Sequence, residues 1–319
     1  MPVMMNNRTF EATNAPYMSI KKIERCPVCD NSDFNKVFDS VDHFSSKEVF
    51  PVCDCSECGF RFTNSFPSED VIGKYYDSPA YISHSDSDKG LTNRMYHLFR
   101  RLMLRRKVSL VKRHLKRDHA RLLDIGCGTG YFLNAAKEGR FTVTGIEKDD
   151  RAREKAITRF GLDVRDEKAF FGLERSSYDV VTLWHVLEHL EDLNARIDKI
   201  GEILSPDGRV VIALPNHRSY DAQYYRDKWA AYDTPRHLWH FTPDTLERLM
   251  AKQRMQVIKR YRMPLDAYYV SLLSEDYRGS GTMIKYLRAF MTGTIGFLLS
   301  LLNPEQSSSI IYIIKKRDS

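Results

Sequence analysis

Residues Asp124 to Gly130 read DIGCGTG, and this stretch decides the fold. The apolar pair Leu122-Leu123 precedes it, and the run Tyr131-Phe132-Leu133-Asn134-Ala135-Ala136 comes after it. An apolar strand, a glycine turn and a helix, in that order, present backbone to a nucleotide in doubly wound α/β folds. The glycine spacing narrows the choice. A dinucleotide fingerprint needs G-x-G-x-x-G, but Tyr131 holds the third position and Gly130 comes one residue early. No Gly-Lys-Ser/Thr is present after the turn, which excludes a Walker loop. Phe141 to Ile146 (FTVTGI) reads as a second strand, with Glu147 at its C-terminal end. An acid at that point binds the two ribose hydroxyls in such folds.

LLDIGCGTGYF followed by VTGIEKDD resembles motif I and the partner acid of class I S-adenosylmethionine (SAM) methyltransferases. The resemblance runs from about Arg105 to the C-terminus. It implies an α/β, Rossmann-like, seven-stranded methyltransferase sheet whose last strand is antiparallel. It implies that Gly126, Gly128 and Gly130 line the methionine and ribose of SAM, with Asp124 under the amino group and Glu147 on the ribose. Asp166, just after the third strand, holds the family's adenine position beside Glu167. Trp184, ending the fourth strand, and Cys127, inside the glycine turn, complete the cofactor-binding set. Cys127 reads as a small packing residue rather than a nucleophile.

At 319 residues the chain exceeds one average domain. Residues 1–22 are polar and aperiodic and are expected to be disordered. Residues 23–66 form a zinc-ribbon-like module. Residues 67–90 are a linker in which KYYDSPAYIS could act as a lid over the SAM site. Residues 91–319 are the methyltransferase domain, with a helical insertion at 263–307. Strands are expected at Arg121–Ile125, Thr142–Ile146, Leu162–Val164, Tyr178–Trp184 and Arg209–Leu214, with SPDG (Ser205–Gly208) as the turn before the fifth. Gln256–Arg262 and Ser308–Lys315 should close the sheet as an antiparallel hairpin.

Five of the six cysteines lie before residue 60. Two C-x2-C pairs, Cys26/Cys29 and Cys55/Cys58, read as the two knuckles of a structural zinc site. Cys53 is a neighbouring thiol that could stand in for Cys55. Gly59 follows the second pair, where a left-handed residue turns backbone N–H groups toward sulfur.

The net charge is +7, and Leu91 to Arg117 carries ten Lys or Arg and no acid. Leu104, Val108, Val111 and Leu115 recur at helical spacing there. This is either a solvated basic helix or a surface that meets an anionic group. Nucleic acid is not expected, because no recognised binding motif accompanies the charge. The insertion holds AFMTGTIGFLLSLL, Ala289 to Leu302, which is too short to span a bilayer. It reads as a helix over the active-site mouth or at a dimer interface, or as an interfacial membrane helix with Lys285 and Arg288 at the headgroups. The absence of a signal-like leader or spanning run points to a cytoplasmic protein, with peripheral contact at the inner membrane face as the second reading.

Methyl transfer to a hydroxyl requires alignment and a base. LWHVLEHLEDL ends the fourth strand and continues past it; on a helix His185, Glu188 and His189 would share a face. The stretch resembles the Glu-His segment of ubiquinone-biosynthesis O-methyltransferases and related enzymes of bacterial surface-glycan and natural-product clusters. In the quinone enzymes that pair is linked to a divalent metal. Here it matches Glu188 and His189, with His185 where an acid is usual. A second group, YDTPRHLWHFTPDTL, places Arg236, His237 and His240 in the loop after the fifth strand. His185 or His240 is the expected base, with His237 and Arg236 orienting the acceptor. The activity expected is O-methylation of a sugar, a glycan precursor, free or lipid-linked, or a similar small molecule. Transfer to carbon or nitrogen, and a non-catalytic adaptor role, are the alternatives.

Overall fold

The computed structural model describes residues 20–76 and 91–317, except Lys116 and Asp118, with backbone alone at 91–99. The expectations for the N-terminus before residue 20 and for most of the lid segment therefore fall outside the described residues.

The first strands are β1 (Ile20–Lys21), β2 (Phe34–Val41), β3 (Val49–Cys55), β4 (Arg61–Thr63) and β5 (Phe66–Pro67). The basic helix α1 (Leu91–Arg113) leads into β6 (Arg121–Ile125), α2 (Tyr131–Glu138), β7 (Thr142–Ile146), α3 (Asp150–Phe160) and β8 (Val164–Arg165). Then come β9 (Tyr178–Trp184), α4 (Leu193–Ile203), β10 (Leu204–Pro215), α5 (Tyr220–Tyr225), β11 (Trp239–His240), α6 (Pro243–Lys252) and β12 (Met255–Arg262). The insertion forms α7 (Asp266–Tyr277) and α8 (Thr282–Leu302), and β13 (Ser309–Lys316) closes the chain.

Seven strands form one sheet in the order β12-β13-β10-β9-β6-β7-β8. Strands β6 to β10 are mutually parallel, and β13 runs antiparallel to both β10 and β12. Alternation along each strand feeds two cores. Leu122, Val180, Val211 and Ile313 face α1 and α2. Leu123, Val181, Ile212 and Ile314 face α4 and α6. The expected turn at SPDG is instead an irregular stretch inside β10, where the register with β9 shifts between Leu204 and Arg209. Gly161, left-handed at φ +58°, caps α3, and β8 starts later than expected because Leu162 turns into the core.

The N-terminal module does not stand apart. Its sheet has the order β11-β4-β3-β2, and Trp239 and His240 of the later chain pair with Phe62 and Arg61. Phe60 stacks on Trp239 at 5.9 Å, and Cys26, Phe60 and Phe62 share a core with Leu246, Leu249 and Met250 of α6. The fourth strand of the N-terminal module's sheet is thus supplied by the loop that carries the second histidine group.

Candidate active site and metal centre

The turn after β6 has the backbone a close-approaching ligand requires. Gly126, Gly128 and Gly130 all have positive φ, but they do different things. A Cβ on Gly126 would stand 2.5 Å from Val186, and one on Gly130 would stand 2.8 Å from Ala156 and Leu162. A Cβ on Gly128 would meet nothing within 4 Å. Of the three, Gly128 alone opens onto free space, whereas Gly126 and Gly130 are packed closely against neighbouring side chains. Cys127 is likewise turned inward: its Sγ would lie 2.7 Å from a Cβ on Gly145. Glu147 closes the turn by accepting from Gly128 N at 2.7 Å and from Asp149 N at 2.9 Å. Burial raises its pKa, against the opposing pull of those N–H groups. Asp124 is buried and accepts from Thr182 Oγ1 at 2.6 Å; burial pushes its carboxyl up to about 7. Asp166 lies on the same rim, one strand over, but its carboxylate is engaged by Lys168 N at 2.7 Å. Trp184 packs edge-on to Phe132, with Lys107 Nζ 4.1 Å from its ring centroid. Open space over Gly128, with the buried Asp124 on one flank and the half-buried Glu147 on the other, fits the SAM carried by this fold.

His185 leaves β9 in a left-handed conformation, φ +57°, which a side chain of this size seldom adopts. The chain then makes a single 3₁₀ turn, Leu187–His189, in place of the helix expected from spacing. In such a turn i and i+3 eclipse. His185 Nδ1 accordingly lies 3.3 Å from Glu188 Oε1, while its Nε2 lies 3.7 Å from Asp266 Oδ2 at the start of α7. Burial pulls the His185 pKa down, but the Glu188 and Asp266 carboxylates outweigh it, and the net shift is upward.

His189 turns the other way. Its Nδ1 lies 3.0 Å from the Arg236 carbonyl, and its ring is 4.5 Å from that of His237. His237 Nδ1 lies 2.8 Å from the Ala231 carbonyl. A carbonyl accepts, so each Nδ1 is the protonated nitrogen and each Nε2 keeps its lone pair. Ligand atoms of Glu188, His189 and His237 all lie within 4.8 Å of one another, and Glu188 is fully buried with no hydrogen bond to either oxygen among the described residues. Two imidazoles fixed by carbonyls beside a buried carboxylate that accepts no hydrogen bond among the described residues have the donor set of a divalent-cation site.

Two residues expected at the reaction centre, Arg236 to orient the acceptor and His240 as a candidate base, are placed elsewhere. Arg236 is buried, held by Asp42 at 3.1 Å and Asp233 at 2.6 Å, and donates to the Tyr75 carbonyl. With its donors spent inside the protein it cannot orient an acceptor. His240 is buried in β11, 3.0 Å from Thr63 Oγ1, and burial holds its pKa far below 6.5. It belongs to the shared sheet rather than to an acceptor pocket. Sequence reasoning missed Asp266, Asp42, Thr182 and Lys107; no local motif marks any of them.

The four knuckle cysteines converge. Cys26 and Cys58 sulfurs are 3.5 Å apart, Cys29 and Cys55 sulfurs 3.4 Å, and all four lie within 4.8 Å. Thiolates on a tetrahedral zinc at about 2.3 Å stand about 3.8 Å apart, so the set fits zinc. Cys55, not Cys53, completes it. The knuckles match: Asp30 and Gly59, each following the second cysteine of its pair, are left-handed and donate back to the first cysteine's carbonyl.

Comparison with known proteins agrees with this geometry. A family model described as "Methyltransferase domain" matches residues 96–259, just over half the chain. The chain belongs to that methyltransferase family. This class I SAM-dependent methyltransferase is similar to the ubiquinone biosynthesis O-methyltransferase of Nitrosospira multiformis, 29% identical over 34% of this chain and 49% of that protein. It is also similar to the enzyme of the same name from Brucella anthropi, 27% identical over 53% of this chain and 72% of that one. The chain spans about half the length of the first of these curated relatives. Among solved structures, magnesium protoporphyrin IX methyltransferase from Synechocystis shares the fold. Its TM-score is 0.51 at 10% identity, over 79% of this chain and 100% of that one.

Proposed function

We propose that this methyltransferase transfers a methyl group to a hydroxyl of a small acceptor, a sugar or glycan precursor or a related metabolite, with His185 as the base. The observation that carries the reading is the placement of His185: at the carboxyl end of β9, beside the glycine turn, with one ring nitrogen on Glu188 and the other facing Asp266. When bound, SAM supplies an electrophilic methyl on a sulfonium and leaves as a neutral thioether. The Glu188 carboxylate, 3.3 Å from Nδ1, favours the Nδ1–H tautomer of His185 by its charge, which leaves Nε2 as the proton acceptor. The acceptor hydroxyl gives its proton to Nε2 as its oxygen forms the new bond to the methyl carbon. Asp266 stabilises the imidazolium that results. Glu147 and the Gly128 backbone hold the nucleoside end.

Glu188, His189 and His237 would hold a divalent cation, which would orient an oxygen-rich acceptor. The N-terminal module and the segment after it support this corner, because Thr63 Oγ1 donates to the His237 carbonyl at 2.8 Å and Tyr76 reaches His189 at 3.2 Å. The test uses methyl-labelled SAM and an extract of the host's own cells, partitioned into organic and aqueous phases. Transfer by the wild type, lost in His185→Gln, with the label on oxygen by NMR, is the expected result. Label on nitrogen or carbon would reject the hydroxyl acceptor. Full transfer by His185→Gln would reject the base.

A further inference from the structure

Helix α8 is inside out. Its small residues Ala289, Thr292, Gly293, Gly296 and Ser300 are buried, and its large apolar residues face outward. Met283 is 85% exposed, Leu287 60%, Phe290 64%, Leu298 53% and Leu302 85%. A soluble surface helix has the opposite pattern. Nor can the helix roll to hide this face. A Cβ on Gly293 would stand 2.6 Å from Tyr268 of α7, so the small face is locked against its neighbour at backbone-close range.

The shape of the exposed face selects its occupant. At about 100° per residue, Tyr286 and Ile295 bound the exposed arc and lie about 180° apart, half the circumference. A second helix covers a seam only about 100° wide. It would leave both flanks of this arc in water. A lipid surface wets the whole arc along the about 30 Å of a 21-residue helix. Charge points the same way. From Arg278 to Leu302 the chain has three cations and no acid, but Arg278 pairs with Glu275 at 3.5 Å and Lys285 with Asp276 at 2.5 Å, which leaves Arg288 as the uncompensated charge on the helix. Arg288 is exposed at the margin of the arc with no ion pair among the described residues. Arg278 is folded onto Tyr224 and Tyr225, while the exposed Arg226 follows α5, which packs on α8. Among the described residues no helix is long and apolar enough to cross a membrane, so the geometry is that of a helix lying in the interface.

We propose that α8 docks this methyltransferase on an anionic lipid surface, apolar arc down, with Arg288 and Arg226 among the headgroups. The test is flotation with phosphatidylcholine vesicles, with and without phosphatidylglycerol. Wild type should float with the anionic vesicles and bind neutral ones about tenfold less or weaker. The triple variant Leu287→Glu, Phe290→Glu, Leu298→Glu should lose flotation while keeping its SAM affinity and sedimentation coefficient. As a variant that keeps the face apolar, Phe290→Trp should show blue-shifted emission on adding anionic vesicles. Absence of wild-type flotation, together with unshifted tryptophan emission from the Phe290→Trp variant, would overturn the proposal. A wild-type dimer that the triple variant splits into monomers would overturn it in favour of a second copy.

Discussion

Asp266 Oδ2 lies 3.7 Å from His185 Nε2, although three strands separate the two residues in the chain. The first residue of the insertion helix α7 therefore reaches the end of the strand that carries the proposed methyl-transfer base. The insertion is tied to that histidine at one end and, through α8, to the surface at the other.

The carboxylates around His185 hold its pKa above the ordinary 6.5. A base works deprotonated, so kcat/KM should rise with pH through a midpoint above 6.5. In Asp266→Asn the imidazolium loses a stabilising charge and the midpoint should move to lower pH. A pH profile of the variant that superimposes on the wild type would remove Asp266 from this role.

Glu147→Ala should weaken SAM binding by about 1–3 kcal/mol, the scale of losing hydrogen bonds to a charged group. Gly128→Ala should also impair SAM binding, with only about 1–2 kcal/mol of stability lost to its left-handed backbone. Gly130→Ala should behave differently, because its Cβ collides with Ala156 and Leu162; it should lower the unfolding temperature first. Calorimetry and thermal denaturation on the three variants separate the roles.

Zinc removal should reach further than the N-terminal module. Cys26→Ser breaks the tetrahedral set, and β4 pairs directly with β11. The His237 loop should loosen with it, so turnover should fall while SAM affinity stays within about twofold of wild type, since the glycine turn lies in the other sheet. Metal analysis finding no zinc in the wild type would end this expectation.

The Asp42–Arg236 pair is buried on both sides, with 0% and 2% of the side chains exposed. Asp42→Ala leaves a buried guanidinium with Asp233 alone and should cost about 3–5 kcal/mol. Urea unfolding monitored by tryptophan fluorescence reads this directly.

His217 is held neutral by burial and by the Arg61 charge, its pKa lowered to about 3. The unfolded chain protonates it near 6.5, so it takes up protons that the folded chain refuses. Its contribution to stability is whole above 6.5 and erodes as pH falls toward 3, by up to about 2 kcal/mol at pH 5. His217→Asn should flatten that part of the stability-versus-pH curve.

The sheet was legible in the sequence because its determinants are local. Alternating apolar strands, DIGCGTG and the acid after FTVTGI each act within a few residues, and β6, β7 and β9 appear at the expected boundaries. The zinc knuckles were legible for the same reason, since each C-x2-C pair sets its own turn. The Leu187–His189 turn reads as a helix because helical spacing and a single 3₁₀ turn bring i and i+3 together alike. The left-handed φ of His185 that stops the helix leaves no mark in residue type.

The rest was decided only by the tertiary structure. Arg236 reads as an acceptor-orienting residue and His240 as a candidate base until the N-terminal module folds over them and supplies Asp42 and Thr63. His237 joins Glu188 and His189 only because the loop after β10 is drawn into the module's sheet by β4. Sequence also shows that α8 is apolar but not which side it presents. That was settled by Gly293 and Gly296, whose missing side chains let α7 approach closely and so leave the large apolar residues facing out.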